Sequence, residues 1–170
     1  MAIKSGKGSL NVKTFDPKIS IKRAEKARTK SAKWAIVTTF GEVSWGSRLE
    51  RVAIIRAGLP YEAIEVVGGK ANLPVSQMLR YLGVAQTTYN KKKRENEHLS
   101  GRDSEVVLVL TELLDFGLDV FNHEKEKFHR WLKKPNVSIG RVAPESLFDS
   151  LTGIQEVRNA LNRLEFGNLA

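Results

Sequence analysis

From Ser47 onward the apolar residues recur at spacings of three and four, and the chain reads as a succession of helices. Ser47 with Glu50 forms a capping box that opens the first helix, carrying Leu49, Val52, Ala53 and Arg56, and Gly58 ends it. Leu59-Pro60 restarts the chain, and Tyr61 to Val67 forms a second helix that Gly68-Gly69 stops. Pro74 to Leu82 is a third and Ala85 to about Asn96 a fourth, with Gly83-Val84 as the tight turn between them. Ser100 with Asp103 caps a long helix reaching about Asn122. It is apolar on more than one side: Val106, Leu110, Leu113, Gly117 and Val120 mark one face, Val107, Leu114 and Phe121 flank it, and Val109 and Phe116 lie elsewhere. A surface helix needs only one such stripe, so this one is expected to be central and to form part of a homodimer seam. His123 to Lys134 is a polar helix with Phe128, Trp131 and Leu132 facing inward.

Before Ser47 the pattern changes. Residues 34–46 hold Trp34, Ile36, Val37, Phe40, Val43 and Trp45 around Gly41. A run this short is compatible with a hairpin or with a helix. Residues 1–30 hold few large apolar groups and read as largely disordered. The expected architecture is all-α, with a little strand allowed in 34–45: a basic arm and connector over 1–46, a helix-turn-helix unit over 47–99 and a helical domain over 100–170.

Helix, glycine turn, helix over Pro74–Asn96 is the helix-turn-helix arrangement. Met78, Leu82, Val84 and Tyr89 are placed to fill the angle between the two helices. The second helix would present Gln86, Thr87, Asn90 and Lys91 on its early outward face. Gln and Asn pair with adenine and Lys with guanine or phosphate. Lys92, Lys93 and Arg94 suit the DNA backbone, although such a run is also an ordinary solvated face.

The end of the chain falls into three short pieces. Trp131-Leu132-Lys133-Lys134-Pro135-Asn136 closes one helix, because the residue before proline is pushed out of the α region. Pro144-Glu145-Ser146-Leu147-Phe148-Asp149 opens a second at a position where proline loses nothing. Thr152 with Gln155 caps a third, in which Ile154, Val157, Leu161 and Leu164 form one apolar stripe and Gly167 is its C-terminal glycine. This ordered series, W-L-x-x-P-N, then P-x-x-L/F-x-D, then G-x-x-x-V-x-x-x-L-x-x-x-E-F/Y-G, resembles the C-terminal toxin-binding domain of Xre/MbcA/ParS antitoxins. The resemblance reaches back to about Ser47 and departs from the usual pattern at Val109, Phe128 and Gly140-Arg141.

Charge adds a second division. Residues 1–33 carry ten cations against Asp16 and Glu25, which is eight of the nine net positive charges. Such an arm attracts phosphate or is simply a solvated tail. Residues 101–170 carry nine cations and eleven acids. The absence of cysteine excludes disulfides and thiolate zinc sites. His98, His123 and His129 lack a metal-ligand spacing and are expected on the surface or as caps. No apolar run is long enough to span a membrane, the basic N-terminal stretch lacks the apolar core of a signal peptide, and a cytoplasmic protein is expected. Gly68-Gly69-Lys70 lacks the spacing of a phosphate loop, and no nucleophile, metal or dinucleotide motif was found; no cofactor is expected and an enzyme is the weakest reading.

The resemblance implies an antitoxin of a type II toxin–antitoxin pair. Its relatives are encoded beside an NAD-consuming or ADP-ribosylating toxin, of the RES type among others. They cover the toxin's active-site entrance and bind operator DNA. Carried onto this chain, the toxin-facing positions are Arg158, Asn162, Arg163, Glu165, Gly167 and Asn168. The alternative is a stand-alone DNA-binding regulator whose C-terminal domain serves dimerisation.

Overall fold

A computed structural model describes residues 33–167. The basic arm before residue 33 and Asn168 lie outside the described residues, as do the expectations attached to them. The remainder is mostly helical: an antiparallel hairpin of β1 (Trp34–Thr38) and β2 (Gly41–Trp45) precedes seven α-helices. These are α1 (Arg48–Ala57), α2 (Ala63–Lys70), α3 (Val75–Leu82), α4 (Gln86–Arg94), α5 (Gly101–Val120), α6 (Lys125–Lys133) and α7 (Leu151–Glu165). Short 3-10 turns over Val137–Ile139 and Pro144–Leu147 join α6 to α7.

The hairpin settles the connector. Trp34 pairs with Trp45 and Ile36 with Val43, so alternate residues face inward: Ile36 and Trp45 are buried while Val37 and Phe40 are exposed. Gly41 takes φ +127 at the turn, where any side chain would be strained.

α5 is the axis of the protein. It packs against α1, α2, α6 and α7, and its Val106, Val107, Leu108, Leu110, Leu113 and Leu114 are almost fully buried. Val109, Phe116 and Val120 are half-buried against the same core. Ion pairs reinforce the contacts. Lys70 Nζ bridges both Asp115 oxygens at 2.7 and 2.9 Å, tying α2 to α5. At the α5–α6 corner, Phe121, Phe128 and Trp131 pack with ring centroids 5.5–6.2 Å apart, beside Gly117. His129 Nδ1 lies 2.8 Å from the Ala71 carbonyl.

Several local expectations are corrected. α2 runs through Gly68-Gly69 to Lys70 and ends only before Asn72, which is left-handed at φ +55. Gly68 is there for packing: a Cβ on it would lie 2.7 Å from the Leu73 carbonyl. α7 is capped by Ser150, whose Oγ accepts from the Gly153 N–H at 3.1 Å, and not by Thr152, which is already inside the helix. The third helical position is therefore glycine, and no Gln155 side chain can reciprocate. Leu164 is 38% exposed, because the last turn of α7 has run past the core that takes Ile154, Val157 and Leu161. α5 stops at Val120 and α6 starts at Lys125, because Asn122 and His123 are both left-handed. The segment opened by Pro144 is one 3-10 turn, with proline at the anticipated first position.

Candidate nucleic-acid and toxin-binding surfaces

The helix-turn-helix geometry is made by three buried side chains and a glycine. Met78, Leu82 and Tyr89 are at most 5% exposed and occupy the angle between α3 and α4, with Val84 half-buried beside them. Gly83 is left-handed at φ +68, and the Val84 N–H donates to the Leu79 carbonyl at 2.9 Å, closing the turn. Pro74 and Ala85 are the extended residues before α3 and α4.

The seven candidate DNA-contacting residues all lie on α4, distributed around it. Gln86, Asn90 and Lys93 follow one face. Gln86 Nε2 donates to Asn90 Oδ1 at 3.0 Å, so the two amides hold each other in one orientation. Both line an open cleft of about 530 Å³ together with Glu65, Tyr89, Lys93 and Arg94. Thr87, Lys91 and Arg94 follow the next face and are exposed. Lys92 pairs with Glu97, and each ammonium–carboxylate partner shifts the other: the hydrogen bond raises Lys92 and lowers Glu97. Lys93 Nζ meets Glu65 Oε2 of α2, with the Tyr89 ring centroid 5.7 Å away. That hydrogen bond holds Glu65 below the usual carboxylate range and Lys93 above its own. Sequence reading missed Glu65, because partners that meet across helices leave no mark in local spacing. It also missed Arg80, exposed on α3 beside Gln86.

The toxin-facing candidates on α7 divide. Arg158 is half-buried, lies over the Phe116 ring at 5.6 Å and approaches Glu112 Oε2 at 3.9 Å. Burial depresses its affinity for protons, Glu112 opposes this, and Arg51 adds to it. Glu112 Oε1 also accepts from Trp45 Nε1 at 2.9 Å and from Arg51 at 3.0 Å. Arg163 donates to the Ser138 carbonyl at 3.1 Å, pinning α7 to the first 3-10 turn. Asn162 is half-buried, and Glu165 and Gly167 are exposed. Gly167 is left-handed at φ +65. The apolar groups Phe166 (70% exposed), Leu164 and Val137 (78% exposed) were not among the sequence candidates. Phe166 belongs to the terminal motif, which marks it as an anchor and not as a contact.

The two halves are held to each other by side chains. The Tyr81 ring of α3 packs edge-on against Phe148 at 5.6 Å, and burial together with the Glu145 carboxylate pushes its phenol up to about 12. Among the described residues no cluster of His, Cys, Asp and Glu could hold a metal ion, and no helix is long and apolar enough to cross a membrane.

Comparisons with known proteins agree with this arrangement. Residues 50–109 match the antitoxin Xre-like helix-turn-helix domain, and residues 117–167 match the antitoxin Xre/MbcA/ParS C-terminal toxin-binding domain. An antitoxin Xre of Photorhabdus laumondii is 27% identical over 115 residues, covering 68% of this chain and 78% of the relative. An antitoxin Xre of Yersinia enterocolitica is 26% identical over 113 residues, covering 66% and 76%. A protein of Sphingobium sp. strain YBL2 named Prs ADP-ribosylating antitoxin is 27% identical over 132 residues, covering 73% and 83%. Matched in order along one continuous core, the chain carries a helix-turn-helix domain and a toxin-binding domain of the kinds found in Xre/MbcA/ParS-type antitoxins of toxin–antitoxin systems.

Proposed function

We propose that this antitoxin blocks an NAD-consuming or ADP-ribosylating toxin, with a RES-type enzyme as the leading candidate, and represses its own operon. In this reading residues 47–99 contact operator DNA, residues 100–170 hold the toxin and a second copy of the chain, and the complex works in the cytoplasm. The observation that carries the toxin half is the end of α7: Glu165, Phe166 and Gly167 project as an exposed tip from a helix whose Ile154, Val157 and Leu161 are locked in the core. The relative named as an ADP-ribosylating antitoxin supports the class of partner. A toxin that uses NAD binds its pyrophosphate through cationic groups, so its cleft attracts the Glu165 carboxylate; Arg163 and, behind it, Arg158 are placed to meet carboxylates at the rim, with Asn162 and Asn168 as neutral contacts. The DNA half rests on the Gln86–Asn90 pair and on the exposed Arg80, Lys91 and Arg94.

The test is co-expression of the chain with the protein encoded beside it, followed by co-purification and measurement of cellular NAD. Capture of the neighbour with NAD preserved is the expected result. Capture without any effect on NAD would remove the proposed toxin class, and failure of the pair to associate would remove the partner.

A further inference from the structure

One acid, Glu65, lines the cleft on the candidate DNA-reading face. Glu65 reaches it from the first turn of α2, meets Lys93 of α4, and has Tyr89 Oη 3.5 Å from the same carboxylate oxygen. The pair lines the cleft that also holds Gln86, Asn90 and Arg94. Neither member is sequestered: the Glu65 side chain is 54% exposed and that of Lys93 39%.

On the reading that α4 contacts DNA, we infer that Glu65 is a positioning residue that withholds Lys93 from phosphate and thereby limits binding to DNA of arbitrary sequence. An ammonium already paired with a carboxylate must give up that partner to meet phosphate, so its net gain from the backbone is small. A free lysine releases a condensed counterion from the duplex at each phosphate it meets, whatever the sequence. The carboxylate also repels any phosphate that approaches Gln86 and Asn90 out of register, at separations well inside the screening length of physiological salt. Both effects act most strongly on duplexes that offer no base contacts to compensate. Glu65 thus lowers affinity everywhere and lowers it most where the sequence is wrong.

The experiment compares the full chain with E65Q on two probes: the DNA immediately upstream of its own reading frame and a random-sequence duplex of equal length. Glutamine keeps the size and a hydrogen-bond acceptor, and unchanged helical content with a similar melting temperature shows that the fold is intact. E65Q is expected to bind the random duplex more tightly, with a log–log salt slope steeper by about 0.9, the increment of one further phosphate contact. Between 50 and 200 mM salt its affinity then falls by about three- to fourfold more than that of the natural protein. The ratio of upstream to random affinity falls. Adding K93Q to E65Q returns the slope to the natural value, a reversal that a merely structural role for Glu65 would not give. Intact binding with an unchanged slope overturns the inference and leaves the DNA-binding reading standing. Absence of binding to both probes by both proteins overturns that reading and the inference with it.

Discussion

Trp45 and Glu112 are 67 positions apart, and the indole Nε1 donates to the carboxylate Oε1 at 2.9 Å. The same carboxylate takes Arg51 at 3.0 Å and faces Arg158 at 3.9 Å. One side chain of α5 therefore holds the hairpin, α1 and α7. Glu112→Ala leaves the buried indole N–H and two cations without their acceptor. It is expected to destabilise the fold by about 2–3 kcal/mol, at the lower end for a broken buried pair because the partners keep some contact with water. Glu112→Gln, which can still accept from Trp45, is expected to cost less than half as much. Urea unfolding followed by tryptophan fluorescence distinguishes the two, and equal losses would show that the charge carries the whole contribution and a neutral acceptor none of it.

Two helical glycines are expected to respond to alanine with opposite signs. At Gly117 a Cβ would stand 2.2 Å from the Phe128 ring, and that ring is locked between α5 and α6. Overpacking of this kind costs about 1–3 kcal/mol, more than the roughly 1 kcal/mol that alanine returns in helix propensity. At Gly69 nothing lies within 4 Å of the added carbon, so G69A is expected to stabilise by about 0.5–1 kcal/mol. Thermal melts of the two single variants read the signs directly.

Alkaline titration of the phenols is expected to be spread out. The protein has three tyrosines, and burial raises each, Tyr81 furthest, to about 12. A folded-state value above the unfolded value near 10 means the contribution is complete below about pH 10 and is lost as pH climbs towards 12. Ultraviolet titration of Tyr81→Phe should lack the last-ionising phenol. A natural protein whose tyrosines all titrate together near 10 would contradict the packing of Tyr81 on Phe148.

Inhibition of the toxin is expected to depend on the tip of α7 more than on its core-facing arginine. Phe166→Asp should weaken toxin capture by tenfold or more, about 1.4 kcal/mol in binding, with an unchanged melting temperature. Arg163→Glu or loss of residues 166–170 should restore NAD loss by the partner while DNA binding persists. Leu161→Asp should abolish both activities, because it places an unpaired charge in the core. Full NAD protection by the truncated chain would move the inhibitory contact elsewhere on the C-terminal half.

Base reading by α4 predicts losses that depend on sequence. Gln86→Ala or Asn90→Ala is expected to cost about 1–3 kcal/mol on the upstream DNA and little on random duplex. The two effects should not add, since the amides hydrogen-bond each other at 3.0 Å. Electrophoretic shifts with the double variant measure the coupling. Equal losses on both duplexes would assign these side chains to the backbone.

The helices, the turn at Gly83 and the burial of Met78, Leu82 and Tyr89 were legible because each follows from spacing within a dozen residues. The capping box at Ser47 was legible for the same reason, with both of its hydrogen bonds formed. The cap of α7 was misread because serine and threonine two positions apart offer the same chemistry; only the backbone, extended at Ser150, distinguishes them. Gly68-Gly69 was misread because a glycine required by a close neighbour looks the same as one that ends a helix. The partners of Lys93, Arg158 and Arg163 were not legible at all: each lies on a different element, 25 to 46 residues away in the chain.

α5 also bears on how such proteins change over generations. The matched helix-turn-helix region ends within it at residue 109 and the matched toxin-binding region begins within it at 117, while its sides pack against helices of both. Among the described residues, exchanging one half for that of a relative would therefore mean rebuilding the other half's packing on this helix. On the proposed reading, a lineage acquiring a new toxin or a new operator alters exposed positions on α7 or α4 and leaves the shared axis in place, and chimaeras joined within residues 101–120 are expected to be insoluble.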